Sequence, residues 1–418
     1  MEVSWRGVRL WTGLSCASAV ILSLGTGCGA TESGPNTIAT LADNVAEVSV
    51  DQGLPNIGYL NGLFATVTVC VPDSPSECQT IDHVLVDTGS MGLRLLGSVL
   101  TLALPAWTDD DGGALAECGQ FISGSVWGPL RSADINIANE KAGGLAIHVI
   151  EESTYPMPIG CTGTDISTPD MLGANGILGV SSFLRDCGPA CAAGVGKNSE
   201  NPEVYYVCSS TPSGGCQPAA VPVSKQVSNP VAFFSQDNNG TIIQLPAIPA
   251  EGSPSVIGSL VFGIGTRENN RLGRSTIIRL DNSGEFLTRY PTNGKAQLAF
   301  IDSGSNAIFF QNSDITGIPA CSDPLAPSLS KFYCPGSMLN LSAMVQDTYG
   351  KVALNVDFTV SNTVLLLTTQ DNVAFDNLAG QSDATYFDWG LPFHFGRNVF
   401  TAIEGQETPG GEGPFVAF

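Results

Sequence analysis

Positive charge is scarce in this chain of 418 residues. Its 17 Lys and Arg face 39 Asp and Glu, which gives a formal net charge of −22. Nucleic acid is bound mainly through Lys and Arg at its phosphates, so DNA and RNA are excluded as partners. Charged residues make up only 13% of the chain, whereas Gly (48) and Pro (26) are plentiful. Few charges and many turn residues are typical of all-β proteins rather than helical ones.

Histidine is also scarce, and His83, His148 and His394 lie far apart in the sequence. The 12 cysteines include no C-x-x-C pair, so the ligand spacing typical of zinc sites is missing. We therefore expect no metal ion and no other cofactor.

Long apolar runs are missing after the N-terminus, which itself has the pattern of an export signal. Two arginines precede a short apolar stretch, residues 10–24, and small residues then lead to Cys28. This pattern predicts a signal peptide over residues 1–27. The cysteine at the cleavage site is similar to a bacterial lipobox, in which it would be lipidated, and residues 28–44 are small and polar, like a tether. An ordinary cleaved signal with a coincidental cysteine is the alternative.

These features predict an exported protein that is lipid-anchored to the cell envelope and faces the periplasm or the exterior. Gly29, which follows Cys28, is compatible with sorting to the outer membrane. No later stretch is long and apolar enough to span a bilayer, so the lipid would be the only membrane contact. The protein is expected to be a monomer.

Export allows disulfide bonds, and an even number of cysteines supports them. Cys16 would leave with the signal and Cys28 would carry the lipid, so ten cysteines remain. Ten cysteines allow about a thousand pairings, among which the sequence alone does not choose. The pairs that close short loops are the preferred candidates: Cys70–Cys78, Cys187–Cys191, Cys208–Cys216 and Cys321–Cys334, which leaves Cys118–Cys161.

Apolar runs with alternating polarity predict strands along most of the chain, and long amphipathic helices are missing. Residues 352–367 are predicted as two strands joined by a Ser-Asn turn. Residues 185–230 are rich in loops and contain four cysteines. They are the best candidate for a boundary between two β lobes, which we place over residues 45–225 and 226–418.

Two segments share one plan, VLVDTGSMGLRLL (84–96) and AFIDSGSNAIFF (299–310). In each, an apolar strand leads into Asp-[Thr/Ser]-Gly-Ser and apolar residues follow. Each half also has a later apolar element that ends in Gly, at Ile177-Leu178-Gly179 and at Phe395-Gly396. A single Asp-Thr-Gly-Ser is an ordinary turn sequence. Two copies, each at the end of a strand, favour a duplicated lobe with a paired site.

The paired site would join two carboxyl groups, those of Asp87 and Asp302. Carboxyls that share one site do not both ionise, so one keeps a proton while the other draws a proton from water. In each motif the glycine lets backbone N–H groups approach the carboxylate, and the hydroxyls can fix the loops and orient the carboxylate. The supporting residues are Thr88, Gly89 and Ser90 in the first motif and Ser303, Gly304 and Ser305 in the second.

The paired motifs resemble those of the pepsin family of aspartic proteases, over roughly residues 55–418. Residues 258–266 and 391–400 are similar to a bacterial family of pepsin-like lipoproteins. The resemblance implies an all-β, bilobal fold with little helix, in which two related barrel-like lobes flank a cleft. It also implies a catalytic dyad of Asp87 and Asp302 that hydrolyses bonds of a peptide or protein substrate with activated water.

Two positions depart from the family pattern. Residues 118–127 correspond to the flap over the cleft, and Phe121 lies nearest the position where the family has Tyr. His394 interrupts the apolar element that ends in Gly396, and we expect it to be a half-buried histidine with its hydrogen bonds satisfied rather than a catalyst. The missing tyrosine favours the alternative of a catalytically inactive binding lipoprotein of the cell envelope. A purely structural envelope lipoprotein is a third hypothesis.

Overall fold

The computed structural model describes residues 38–150, 155–196, 199–209, 215–322, 326–368, 371–382 and 385–418. The predicted signal peptide (1–27) and Cys28 lie outside the described residues, as does most of the predicted tether. No helix among the described residues is both long enough and apolar enough to cross a membrane.

Strands dominate the first half of the described chain. They are β1 (Val45–Val50), β2 (Leu63–Cys70), β3 (Cys78–Asp87), β4 (Met91–Leu96), β5 (Ala114–Gln120), β6 (Ser125–Ile137), β7 (Glu140–Ile150), β8 (Gly176–Val180), β9 (Tyr205–Cys208) and β10 (Cys216–Pro218). In β2, Val67 and Val69 are buried while Thr66 is exposed. This alternation is what a strand with one face on a core requires.

The second half continues in the same way. Its strands are β11 (Gly240–Leu245), β12 (Val256–Phe262), β13 (Ile277–Arg279), β14 (Phe286–Arg289), β15 (Ala296–Ile301), β16 (Ile308–Phe310), β17 (Leu339–Gln346), β18 (Ala353–Val360), β19 (Ala379–Gln381), β20 (Tyr386–Trp389), β21 (Arg397–Ala402) and β22 (Phe415–Ala417).

Helices are short throughout the described chain. The α-helices are α1 (Pro169–Leu172), α2 (Pro189–Ala192), α3 (Ser313–Thr316) and α4 (Thr363–Leu366). The 3-10 helices are Val223–Lys225, Pro230–Phe233, Glu268–Asn270, Pro327–Lys331 and Leu391–His394. The prediction of an all-β fold with minor helix and two lobes is confirmed.

The strands form two sheets. Fifteen strands follow the order β10-β9-β5-β6-β7-β4-β8-β3-β2-β1-β12-β11-β21-β22-β13, and seven follow the order β18-β17-β14-β15-β20-β16-β19. The larger sheet contains strands from both halves of the chain, because β1 pairs antiparallel with β12, with Val48 opposite Gly258. The segment 258–266 therefore lies between the two lobes, where it ties them together through backbone hydrogen bonds.

The two strands that lead to the aspartates lie in separate cores. Val84 and Val86 of β3 are fully buried in a mainly aliphatic core, which also includes residues of β11 and β12 from the second half of the chain. Ala299 and Ile301 of β15 lie in the core of the second lobe, which is rich in aromatic rings. Asp87 is the last residue of β3 and Asp302 comes directly after β15, so both acids are held in place by the burial of their neighbours.

The prediction of two strands over residues 352–367 is wrong in its second half. Strand β18 is present, but α4 follows it instead of a second strand. The Asn362 side chain accepts a hydrogen bond from the Leu365 N–H (3.2 Å). An Asn at this position satisfies the first turn of a helix, and Thr363 and Leu366 on one side of that turn are buried.

All five predicted disulfide bonds are confirmed: Cys70–Cys78, Cys118–Cys161, Cys187–Cys191, Cys208–Cys216 and Cys321–Cys334. The Cys118–Cys161 bond joins β5 to the loop before α1 and closes the largest ring, with a sequence separation of 43. It therefore fixes the strand that leads into the predicted flap.

Candidate functional site

The structure brings the two predicted aspartates together. A Cβ atom added to Gly89 would lie 2.9 Å from Asp302 Oδ1, and one added to Gly304 would lie 2.8 Å from Asp87 Oδ1. Each carboxyl group therefore lies against the glycine of the opposite motif. Neither position leaves room for a side chain, which explains why glycine follows the hydroxyl residue in both motifs.

Both carboxyl groups receive the same pair of hydrogen bonds from their own motifs. The bonds run from Gly89 N–H to Asp87 Oδ1 (2.7 Å), from Ser90 Oγ to Asp87 Oδ2 (2.5 Å), from Gly304 N–H to Asp302 Oδ1 (2.8 Å) and from Ser305 Oγ to Asp302 Oδ2 (2.9 Å). A backbone amide and a hydroxyl thus orient each carboxyl in the same way, which is what a duplicated motif predicts.

Thr88 and Ser303 cross-link the two motifs. The Thr88 N–H donates to Ser303 Oγ (3.1 Å), and the Ser303 N–H donates to Thr88 Oγ1 (2.9 Å). Each hydroxyl donates in turn to a carbonyl of the opposite strand, Thr88 to Ile301 (3.0 Å) and Ser303 to Val86 (2.7 Å). Both side chains are buried, so these four bonds hold the two carboxyl groups in a fixed relation.

Asp87 keeps its proton more readily than an ordinary aspartate. Burial raises the pKa of Asp87 well above its usual range, and the charge of Asp302 and a hydrogen bond with Asp302 raise it further. The Ser90 hydroxyl and the Gly89 amide lower the same pKa, but by less. Of the two close carboxyl groups, Asp87 is therefore the one whose protonated form is favoured.

A cavity of about 440 Å³ opens over the two carboxyl groups. Its walls come from both lobes: Phe121, Ile122 and Ile177 lie on the first side, and Leu280 and Phe300 on the second. The walls are largely apolar and the floor carries the two acids, the combination that ligand-binding pockets usually have.

The predicted flap residue lies in this wall. Phe121 begins the turn between β5 and β6, where its N–H donates to the Gly124 carbonyl (2.8 Å). The Arg94 guanidinium carbon lies 5.7 Å from the centre of the Phe121 ring, within the range of a cation–π contact. Phe121 therefore packs against Arg94. A phenylalanine has no hydroxyl and cannot donate a hydrogen bond from its side chain.

Arg94 belongs to a buried polar network that the sequence did not predict. Arg94 donates through Nη2 to Glu117 Oε1 (2.5 Å) and contacts Asp186 Oδ2 (3.3 Å), while the Tyr205 hydroxyl donates to Asp186 Oδ1 (2.6 Å). Arg94 is 4% exposed and Glu117 is 1% exposed. The detectable signal was the position of Arg94, a charge inside an apolar strand where the second motif has Phe309.

The network carries one carboxylate for its one guanidinium. Burial acts to raise the pKa of Glu117, but the charge of Arg94, followed by that of His148, lowers it overall. Burial and the charge of Glu117 raise the pKa of Asp186 well above its usual range. Burial lowers the pKa of His148 to about 4. Glu117 is therefore the ionised partner of Arg94, and Asp186 keeps a proton.

The second glycine-ended element lies elsewhere than predicted. In the first lobe β8 runs parallel to β3, with Asp87 opposite Gly179. In the second lobe β20 runs parallel to β15, with Ile301 opposite Trp389, so the next pair is Asp302 and Gly390. The prediction of Phe395-Gly396 for this element is wrong, and Asp388-Trp389-Gly390 takes its place.

Packing explains why the true element ends in glycine. A Cβ on Gly390 would overlap the carbonyl oxygen of Ala307, just as one on Gly179 would lie 2.6 Å from Met91. The sequence pattern concealed the element because Asp388 occupies the position that Ile177 has in the first lobe. A search for two apolar residues before glycine therefore passes over it.

His394 also differs from its prediction. It is fully buried rather than half-buried, in the 3-10 helix Leu391–His394. Neither ring nitrogen has a hydrogen-bond partner within the described part of the chain. Burial lowers the pKa of His394 to about 4, so the ring is neutral at neutral pH. His83 is partly exposed beside Asp51 and Asp82.

No group of three or more His, Cys, Asp or Glu side chains among the described residues is arranged to hold a metal ion.

The sequence model of a family described as "Protein of unknown function (DUF3443)" matches residues 40–418. No curated protein gives a significant match. Among solved structures, an aspartic proteinase from Irpex lacteus aligns over 89% of this chain and 96% of that chain, with a TM-score of 0.50 and 15% sequence identity. At this identity the likeness shows the fold alone, a pepsin-like arrangement of two lobes.

Proposed function

This chain belongs to the DUF3443 family, and from that starting point we propose that it is an aspartic endopeptidase with Asp87 and Asp302 as its dyad. One observation supports the proposal above all others. Two carboxyl groups, Asp87 buried and Asp302 half-buried, come from two copies of one motif and lie against each other's glycines at the floor of a cleft. A protein that only binds has no need of such a pair.

In the proposed reaction the ionised Asp302 takes a proton from a water molecule, whose oxygen attacks the scissile carbonyl carbon. Asp87 donates its proton to the carbonyl oxygen, which gives a neutral tetrahedral intermediate. When the C–N bond breaks, the nitrogen receives a proton from Asp302 and a hydroxyl proton returns to Asp87. Atoms and charge balance over the cycle, and the raised pKa of Asp87 supports its role as the acid.

The proposed substrate is an extended peptide that lies across both lobes. Phe121 and Ile177 would contact side chains on one side of the cut, and Leu280 and Phe300 would contact those on the other. Because these walls are apolar, apolar side chains are expected next to the cleaved bond.

The alternative function is an inactive binding lipoprotein of the same fold. The observation that favours it is Phe121, which covers the cleft without a hydroxyl to hold a peptide. The intact hydrogen bonds of both carboxyl groups weigh against it.

The proposed location is outside the cytoplasm, at the cell envelope. Five disulfide bonds support an oxidising compartment. Lipidation at Cys28 and the pepsin-like lipoprotein relationship remain predictions from the sequence.

The test uses the purified full chain, in mild detergent with its disulfides formed. It is incubated with a mixed peptide library from about pH 3 to about pH 7, and mass spectrometry identifies the products. Asp87→Asn and Asp302→Asn are each expected to lower cleavage by at least about 100-fold. Asp314→Asn, on an exposed residue of α3, is the matched control. Absence of cleavage by folded wild-type protein at every pH would refute the proposal and favour the binding lipoprotein.

A further inference from the structure

One part of the cavity over the dyad is lined by charged side chains. Arg94, Glu117 and Asp186 all belong to the lining on the first-lobe side, and their side chains are only 4%, 1% and 7% exposed. We call these three residues the Arg94 pocket. Water screens buried charges little, so the charge of this pocket acts strongly on whatever enters it.

The Arg94 pocket lies beside the dyad. On β8, Gly179 is opposite Asp87, and Ile177, two residues earlier, is opposite Arg94. Two residues of a strand span about 7 Å. A substrate side chain close to the cleaved bond is therefore within reach of the pocket.

A glycine leaves space above the Arg94 guanidinium. Glu117 and Gly119 are two residues apart on β5, so they point to the same face of the strand. A Cβ atom added to Gly119 would lie 3.4 Å from Arg94 Nε and 3.5 Å from Glu117 Oε1, and the only closer side chain is Val126, at 2.9 Å. A substrate atom in this space would touch both charged groups.

The Arg94 pocket has two carboxyl groups for one guanidinium. Arg94 Nη2 lies 2.5 Å from Glu117 Oε1 and 3.3 Å from Asp186 Oδ2, so both acids share one cation. His148 Nδ1 lies 3.4 Å from Glu117 Oε2, but with a pKa of about 4 the ring is neutral at neutral pH. Tyr205 donates to Asp186 Oδ1 without adding charge. With both acids ionised, the pocket is one positive charge short.

Two buried atoms of the pocket have no hydrogen-bond partner in the part of the chain that the structure describes, namely Arg94 Nε and Glu117 Oε2. Buried polar atoms normally have partners, so this pair points to a ligand. A carboxylate at Arg94 Nε would be the third acid around one guanidinium, which is unfavourable. A cation beside Glu117 Oε2 and Asp186 would balance the charge instead.

We propose that the Arg94 pocket is a specificity site of the cleft, which takes the ammonium or guanidinium group of a basic substrate side chain. The aliphatic stem of that lysine or arginine would lie along the apolar wall at Phe121 and Ile177. Its charged end would pair with Glu117 and Asp186. The inference deepens the proposed endopeptidase function by naming its substrate class and, as far as cleavage is concerned, rests on that function.

Binding of non-cleavable peptides tests the pocket without activity. Short peptides with a statine at the centre carry lysine, norleucine or glutamate at each other position in turn. They are titrated into the full chain by calorimetry at about pH 6.5, where lysine is charged. At one position lysine should bind at least about tenfold more tightly than norleucine, which has a similar stem without the amine. Glutamate there should bind more weakly than either.

Three substitutions locate the preference. Asp186→Asn keeps an acceptor for the Tyr205 hydroxyl but carries no charge, so the preference for lysine should be lost. Gly119→Ala fills the space above Arg94 and keeps all three charged residues, and it should also abolish the preference. Glu285→Gln is the matched control, because it removes an acid from the other side of the same cavity and should leave the preference intact. Thermal melting confirms that each variant is folded.

The outcomes separate the pocket from the endopeptidase function. Equal binding of lysine and norleucine, tighter binding of glutamate, or no binding of any peptide would overturn the pocket. So would equal losses in Asp186→Asn and Glu285→Gln, because the preference would then come from the total charge of the cleft. Cleavage of the peptide library by the same protein would leave the endopeptidase function standing. A preference for lysine in a protein that cleaves nothing supports the pocket and refutes only the endopeptidase function.

Discussion

Thr88 and Ser303, 215 residues apart, exchange hydrogen bonds across the junction of the two lobes, with each backbone N–H donating to the other residue's hydroxyl oxygen. The exchange is symmetric, as the two motifs are. Each motif ends a strand that is packed in a core. The hydrogen bonds between Thr88 and Ser303 therefore fix the position of one strand end relative to the other.

Loss of this exchange should cost stability. Thr88→Val keeps the shape but leaves the Ser303 N–H and the Ile301 carbonyl without their partner. We expect the free energy of unfolding to fall by about 1–3 kcal/mol, as for other buried unsatisfied groups. Urea denaturation measures this. Thr68→Val, which removes an exposed hydroxyl pair with Thr80, should change it by much less, and equal losses would contradict the prediction.

Gly89 and Gly304 should be essential for the position of the two carboxyl groups rather than for the stability of the fold. In Gly304→Ala the new methyl group would lie 2.8 Å from Asp87 Oδ1, so the carboxyl must move. We expect cleavage to fall by at least about tenfold, because small displacements of reacting groups are costly. Peptide cleavage and thermal melting together test this. Gly336→Ala, where a Cβ meets nothing within 4 Å, should behave as wild type.

The pH range of activity should depend on Ser90. Activity requires protonated Asp87 and is lost as the pH rises through the pKa of Asp87. The Ser90 hydroxyl lowers that pKa, so Ser90→Ala should raise it and move the alkaline limb of the pH profile to higher pH. Rates of peptide cleavage across the pH range measure the limb. An unchanged or more acidic limb would refute the assignment of the acid, and the exposed Ser330→Ala is the control.

The buried network under Phe121 should contribute more to the free energy of unfolding at neutral pH than at acidic pH. Arg94→Met leaves Glu117 without its cation, which is expected to cost about 3–5 kcal/mol at neutral pH. Arg94 acts to lower the pKa of Glu117, so its stabilising effect is present above the unfolded pKa of about 4.3 and is lost at lower pH.

Urea denaturation at about pH 7 and about pH 3.5 tests this dependence on both sides of the carboxyl pKa range. The matched control is Arg271→Met, because Arg271 pairs with Glu268 on the surface, where both side chains are largely exposed. A surface pair of this kind contributes at most about 1 kcal/mol. A loss for Arg94→Met that does not depend on pH would contradict the assigned charges.

Features that depend on neighbours in the chain were predictable. All five disulfides join the predicted pairs, four of which close short loops. The two motifs were also recognisable, because a strand that ends in Asp-[Thr/Ser]-Gly-Ser is a local pattern. Their meeting at one site followed from the repeat, although neither motif alone indicated it.

Features that depend on distant pairing were not predictable. The element at Asp388-Trp389-Gly390 is identified by its register against β15, and its acidic residue hides it from a search for apolar pairs. Arg94 finds its partners Glu117 and Asp186 only when β4, β5 and the loop after β8 pack together. The helix α4 is an apolar run that reads as a strand until its Asn362 cap is considered.

The amino-acid sequence by itself determined the fold class, the disulfide framework and the two acids. The fold class and the disulfides follow from short-range spacing of residues, and the two acids follow from the repeated motif. Only the tertiary structure showed that burial favours the protonated form of Asp87, and that Arg94, Glu117 and Asp186 form a buried network under Phe121. Protonation depends on burial and on charges a few ångströms away, and these are set by strands that are hundreds of residues apart in the chain.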